Sequence, residues 1–216
     1  MTLAHRLSSF NRRRKWQLFL DELGPTESTS VLDVGYCEKE FSPVDNFIEK
    51  HYPHPRRLTA LGVAAGGDFA RRYPEVRVIH YDGVRFPFGD KEFDICWSNA
   101  VLEHVGGAER QRQFLSEVVR VSRRAFITTP NRYFPIELHT RTPLLHFLLP
   151  KRTFDAYLAR VGQGWAAGDY MTLLSERALR GLLSDAGVRK YRLFRNRLCG
   201  FTADFAVVID CDTAAH

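Results

Sequence analysis

The chain has 216 residues, enough for one domain whose core buries on the order of 70% of the unfolded surface without disulfide or metal staples. With 44% hydrophobic and 26% charged residues, and with glycine and proline at ordinary levels, it is not disordered, collagenous or coiled-coil. A formal charge of +6 permits attraction to anionic partners but bears on association rather than fold.

The N-terminal arginines are followed by no apolar segment, which argues against a secretory signal, and the longest apolar run, around Pro143–Pro150, is too short to span a bilayer. The four cysteines, at 37, 96, 199 and 211, show no CxxC and no ligand-like pairing with histidine. A cytoplasmic protein with reduced thiols, no stable membrane insertion and no zinc site is expected.

In chain order, His5–Leu23 predicts a basic helix. Trp16, Phe19, Leu20 and Leu23 recur at helical spacing, and Gly24-Pro25 stops it. Residues 1–25 are therefore read as a basic helix docking on a domain formed by residues 26–216. Arg12-Arg13-Arg14-Lys15 precedes the stripe and reads as a solvated face. Strands are expected at Ser30–Gly35, Arg57–Leu61, Val76–His80, Phe93–Ser98 and Ala125–Thr129. Phe114, Leu115, Val118 and Val121 mark a helix between the last two. Such spacing implies crossover connections and a parallel, twisted sheet.

Further on, Phe154, Tyr157, Leu158 and Val161 suggest a helix closed by Gly162. Leu179, Leu182, Leu183 and Ala186 suggest another, capped by Ser175 and stopped by Gly187. Val188–Arg195 and Ala203–Ile209 then form a hairpin with no helix between them. The expected fold is α/β, a Rossmann-like, seven-stranded, mostly parallel sheet with a C-terminal antiparallel hairpin and helices on both faces.

In such a sheet, ligands bind beyond the carboxyl ends of the strands, where strand order reverses. Val31-Leu32-Asp33-Val34-Gly35 resembles the first motif of the class I S-adenosylmethionine-dependent methyltransferases. Tyr81-Asp82-Gly83 with Phe86-Pro87-Phe88 and Phe93-Asp94 resembles the link between their third and fourth strands. Asn99-Ala100-Val101-Leu102-Glu103-His104-Val105 is similar to the segment after the fourth strand in their small-molecule branch. The likeness runs roughly from Val31 to Ile209.

The resemblance implies S-adenosylmethionine as cofactor. Asp33 would order the turn and the ammonium end of the donor, and Gly35 would let the ligand approach backbone lacking a Cβ. Tyr36, Leu61 and Gly62 would adjoin the donor. Asp82 would accept from the adenine amino group with Gly83 along the base, and Ser98 and Asn99 would offer backbone groups near the sulfonium.

Two departures stand out. The bulky Tyr36-Cys37-Glu38-Lys39-Glu40 replaces the further glycines of the family loop, and Tyr36 would resist a left-handed turn. The second strand ends Thr59-Ala60-Leu61-Gly62, without the acid that grips the ribose, leaving Glu38 or Glu40 as substitutes. They keep open a second reading, a catalytically weak or inactive methyltransferase-like fold that binds a ligand or partner. A nicotinamide oxidoreductase would want G-x-G-x-x-G after the first strand, which is absent.

Methyl transfer to oxygen or nitrogen also needs a base. His104 is the first candidate, the alternative being a histidine bonded to Glu103. The segment after the fifth strand adds Tyr133 and His139 as catalytic candidates. Asn131, Arg132, Glu137 and Arg141 are candidate contacts to a small-molecule acceptor, anionic or partly apolar. Asn99 and Ala100 stand where a metal-binding relative would add an acid, so no metal is expected. The scatter of basic residues argues against a nucleic-acid partner.

Overall fold

A computed structural model describes residues 3–64, 66–135, 149–162 and 171–213. Helix α1 spans Leu3–Leu23, α2 Phe47–His51, α3 Asp68–Arg72, α4 Ala108–Val121, α5 Lys151–Arg160 and α6 Glu176–Asp185. Strands β1 Val31–Val34, β2 Leu58–Gly62, β3 Arg77–His80, β4 Phe93–Asn99, β5 Ser122–Pro130, β6 Tyr191–Leu198 and β7 Phe201–Asp210 form one sheet in the order β3-β2-β1-β4-β5-β7-β6.

The first five strands run parallel, and β7 lies antiparallel between β5 and β6. The expected hairpin is present, although β6 starts later than Val188 and the turn narrows to Cys199–Gly200. The short helices α2 and α3 lacked a sequence signal because each is barely one turn of mixed residues.

β1 and β2 are buried along their whole length, as parallel strands covered on both faces must be. On one face Leu32, Val34, Cys96 and Ile127 pack with Phe114, Leu115 and Val118 of α4 and Leu179 and Leu183 of α6. The Ser175 hydroxyl accepts from the Ala178 amide and caps α6, as its sequence predicts. On the other face Val31, Ile95, Trp97 and Phe126 pack with Phe19 and Leu23 of α1 and Ile48 of α2. The Trp97 and Phe126 rings stack at 5.0 Å, and Phe19 meets both edge-on at 4.9 and 5.7 Å.

The basic run of α1 is not a uniformly solvated face. Arg13 and Arg14 are exposed, but Lys15 is buried with its ammonium 3.9 Å from Asp204. Arg12 sits one turn before Trp16 on the side that meets the sheet. The stripe thus extends to residues 12, 16, 19 and 23, and its first member is a cation.

Candidate functional site

The sheet reverses its winding between β1 and β4, where strands lead off in opposite directions and leave a crevice. A cleft of about 500 Å³ opens there on the α1 and α2 side, walled by Arg12, Asp33–Cys37, Asp45–Glu49, Trp97, Asn99 and Ala100. Alternation along the strands sends Asp33, Trp97 and Asn99 to this side and Ser98 to the other. The Ser98 hydroxyl is buried without a hydrogen-bond partner.

Four charged side chains, Arg12, Asp33, Asp45 and Glu49, line the cleft. Asp33 at the end of β1 is buried against Glu49 of α2, and the two carboxyls hydrogen-bond when one holds a proton. No N–H or O–H donor reaches either oxygen of Glu49. Burial and the neighbouring Glu49 push Asp33 well above the ordinary carboxylate range, and burial pushes Glu49 up as well. Burial also lowers the Arg12 guanidinium, against the pull of Asp45, Asp204 and Glu103, and no described side chain bonds it. Sequence reasoning missed Arg12 and Glu49. For Arg12 the signal existed in its helical phase with Trp16, whereas Glu49 had none.

The loop after β1 is fixed from within. Asn46 takes a left-handed backbone, with φ of +49°, and its amide both donates to the Cys37 carbonyl and accepts from the Cys37 amide, each at 2.8 Å. Ala100, at the end of β4, is also left-handed, with φ of +59°, a strain that costs on the order of 1–2 kcal/mol without glycine. Both strained residues face the cleft.

Gly35 carries φ of +98°, and a Cβ there would strike the Val101 side chain. Its missing side chain leaves room for Val101, and Gly35 itself lines the cleft. Tyr36 needs no left-handed backbone. Its ring instead crosses the end of β2, so close that a Cβ on Gly62 would lie 2.7 Å from it. Its hydroxyl donates to the Ala64 carbonyl at 3.0 Å and lies 3.1 Å from His80 Nδ1. Burial and Glu38 raise this phenol to about 12.

Both acids named as substitutes for the ribose acid already have protein partners. Glu38 accepts from the Asp68 amide at 2.6 Å and the Phe69 amide at 3.4 Å at the start of α3. Glu40 accepts from Tyr73 at 2.6 Å and pairs with Lys50 at 2.9 Å. Asp82 is exposed, and its Oδ1 accepts from the amides of Val84 and Arg85, bonds that hold it below its ordinary value. Leu61, Gly62, Asp82 and Gly83 lie outside the cleft walls, while Asp33, Gly35, Tyr36 and Asn99 form part of them.

Beyond β4, His104 is half-buried in the short turn Leu102–His104, its Nε2 4.0 Å from the buried Glu103 carboxylate. Glu103 also accepts from the Thr129 hydroxyl at 3.1 Å. Asn131 spends its amide on structure, donating to the Thr202 carbonyl and accepting from the Tyr133 amide. Tyr133 and Arg132 are exposed. Asn131 and Tyr133 share a second cleft of about 630 Å³ with Ser175, Glu176, Arg177, Thr202 and Phe205, apart from the first. Glu137, His139 and Arg141 fall outside the described residues. Among the described residues no group of histidines, cysteines and acids could hold a metal, and no helix is long and apolar enough to cross a membrane.

Residues 58–125 match a family model described as a methyltransferase domain. No curated protein matches. Among solved structures, an S-adenosylmethionine-dependent methyltransferase from Aquifex aeolicus superposes with a TM-score of 0.58 at 16% identity, covering 97% of this chain and 98% of that one. Geranyl diphosphate C-methyltransferase from Streptomyces coelicolor A3(2) gives 0.58 at 14% identity, with 95% and 79% covered. The 1,6-didemethyltoxoflavin-N1-methyltransferase of Burkholderia thailandensis, solved with S-adenosylhomocysteine, gives 0.59 at 16%, with 92% and 77% covered. The reversal point between β1 and β4 and the antiparallel β7 give the chain the fold of these S-adenosylmethionine-dependent methyltransferases, and residues 58–125 carry its likeness to the methyltransferase-domain model.

Proposed function

We propose that the cleft between β1 and β4 holds S-adenosylmethionine by its amino-acid end, and that the protein transfers the methyl group to an oxygen or nitrogen of a small molecule. The observation that carries this reading is a half-buried guanidinium in one cleft with two buried carboxyls, the Glu49 oxygens lacking a donor that a zwitterion's ammonium supplies. Arg12 takes the α-carboxylate, and Asp33 with Glu49 takes the α-ammonium. Phe47, Ile48 and Trp97 form the apolar walls. When bound, S-adenosylmethionine supplies an electrophilic methyl on a sulfonium.

Orientation and exclusion of water are then the chain's main contributions. On the acceptor side, His104 beside Glu103 is the base nearest the end of β4, the carboxylate steadying the imidazolium that forms when it takes a proton. Exposed Arg132 suits an anionic group on an acceptor, while Tyr133 lines the second cleft. Two solved neighbours are named as a carbon and a nitrogen methyltransferase. The His104–Glu103 pair supports oxygen or nitrogen as the acceptor, since such an acceptor must lose a proton.

The nucleoside end fits less well. Tyr36 covers the end of β2 and no acid stands there, which favours the second reading of a weak or inactive ligand-binding module. Calorimetry with S-adenosylmethionine and S-adenosylhomocysteine separates the two. We expect binding that weakens about 10- to 100-fold in Arg12→Gln, the value of one or two charge-assisted hydrogen bonds at about 1.5–3 kcal/mol. Absence of binding by either ligand at millimolar concentration establishes the module reading instead.

A further inference from the structure

Taken with the ammonium site, the cleft's charges constrain what it can bind. Arg12 contributes one positive charge, and the buried Asp33 and Glu49 two negative charges when both are ionised; half-buried Asp45, at the rim, has its charge met by the Phe41 and Ser42 amides and stays the same in every bound state. An amino-acid zwitterion adds nothing to that sum. A sulfonium, separated from the α-carbon by only two methylenes, adds one positive charge and brings the ionised site to neutrality. A thioether does not, so neutrality then requires a proton on the pair. Uncompensated charge in a site this buried is costly, which makes the proton count follow the charge on sulfur.

We propose that the Asp33–Glu49 pair is a specificity element that holds one proton in the free protein, releases it to solvent when S-adenosylmethionine binds, and keeps it when S-adenosylhomocysteine binds. The proposal rests on the donor-site reading above and extends it to discrimination between methyl donor and demethylated product. The geometry is two buried carboxyls, with no protein donor on Glu49, lining one cleft that Arg12 also lines. The raised values of both acids agree with a retained proton.

The described titratable groups around the pair are already committed to other partners or stay neutral. From α1 it faces Arg12. From the loop after β1 it faces Cys37, whose thiol burial and Asp45 push up to about 11, so that it stays neutral. Asp45 of that loop accepts from the Phe41 and Ser42 amides. Glu40 stays ionised, because bonds from Tyr73, Lys50 and Asn46 outweigh its burial, and it occupies the Lys50 ammonium of α2. From β4 come only Trp97 and Asn99. Arg12 in turn feels Asp204 of β7 and Glu103.

Titration calorimetry of the full chain in phosphate and in Tris at pH 7.5 reads the proton directly, because the two buffers differ in ionisation enthalpy. Close to one proton should leave per S-adenosylmethionine bound and far fewer per S-adenosylhomocysteine. The ratio of their affinities should rise with pH, by at most tenfold per unit. Sinefungin, with an ammonium in place of the sulfonium, should behave like the donor. Glu49→Gln should abolish the difference, which separates the pair's proton from any lost by the ligand's own amine. Equal proton release for donor and product in the native protein overturns the proposal while leaving the donor site standing. Failure of both ligands to bind overturns the donor site and this proposal together.

Discussion

Gly35 shows how much one residue can be required to do. Its backbone is left-handed, and the space where a side chain would go belongs to Val101. Gly35→Ala should therefore cost about 2–4 kcal/mol, combining backbone strain with overpacking, as read from urea denaturation. Shortening the neighbour in Gly35→Ala/Val101→Ala should recover the overpacking part and leave the strain. The glycine was legible in the sequence as a turn. Its partner was not, because Val101 lies on another strand's exit loop and only the parallel register of β1 with β4 brings the two together. Asp82 teaches the opposite lesson: an Asp-Gly pair reads as turn chemistry, and its carboxylate does bond its own loop.

Among the elements, α1 deserves the closest comparison with its sequence. Its apolar stripe was visible, and so was the stop at Gly24. The fate of the arginines before the stripe was not visible, since a run of four cations reads as a solvated face until the packed partner is known. Docking through Phe19 buries that ring against Trp97 and Phe126 and carries Arg12 into the cleft. Phe19→Ala should lose about 3–5 kcal/mol in a denaturant titration. It should also weaken donor binding, because the guanidinium is held only by the helix that bears it. A variant that loses stability but binds the donor unchanged would detach Arg12 from that role. The neighbouring polar node has the same long-range origin: Asn11 donates to Asp204 at 2.7 Å, joining α1 to β7 across nearly the whole chain.

At the level of the whole molecule, the buried acid pair ties stability to pH. Both carboxyls have folded values above their unfolded ones, so the folded protein carries more protons than the unfolded chain between those values. Stability contributed in this way is complete below the ordinary carboxylate range and is lost as pH rises toward the raised value of the pair. The ligand-free protein should therefore become less stable as pH climbs through that window, and Glu49→Gln should flatten the slope. A thermal-melt series across pH checks this, and an unchanged slope in the variant would remove the pair as its source. On the reading proposed above, S-adenosylmethionine acts in the opposite direction, since its added positive charge favours the ionised pair.

The strands, the order of crossovers, the final hairpin and the cap at Ser175 were all set by neighbouring residues, through apolar runs, turn dipeptides and capping side chains that act over a few positions. The seven-stranded frame and its reversal point were accordingly readable from the chain. Which charges end up buried together was decided only by the folded whole. Arg12, Asp33 and Glu49 come from α1, β1 and α2, and their electrostatics exist only after the sheet has excluded water from among them. The same holds for Tyr36, whose ring reaches over β2 because Gly62 leaves room there, a complementarity between two distant positions that neither segment encodes alone.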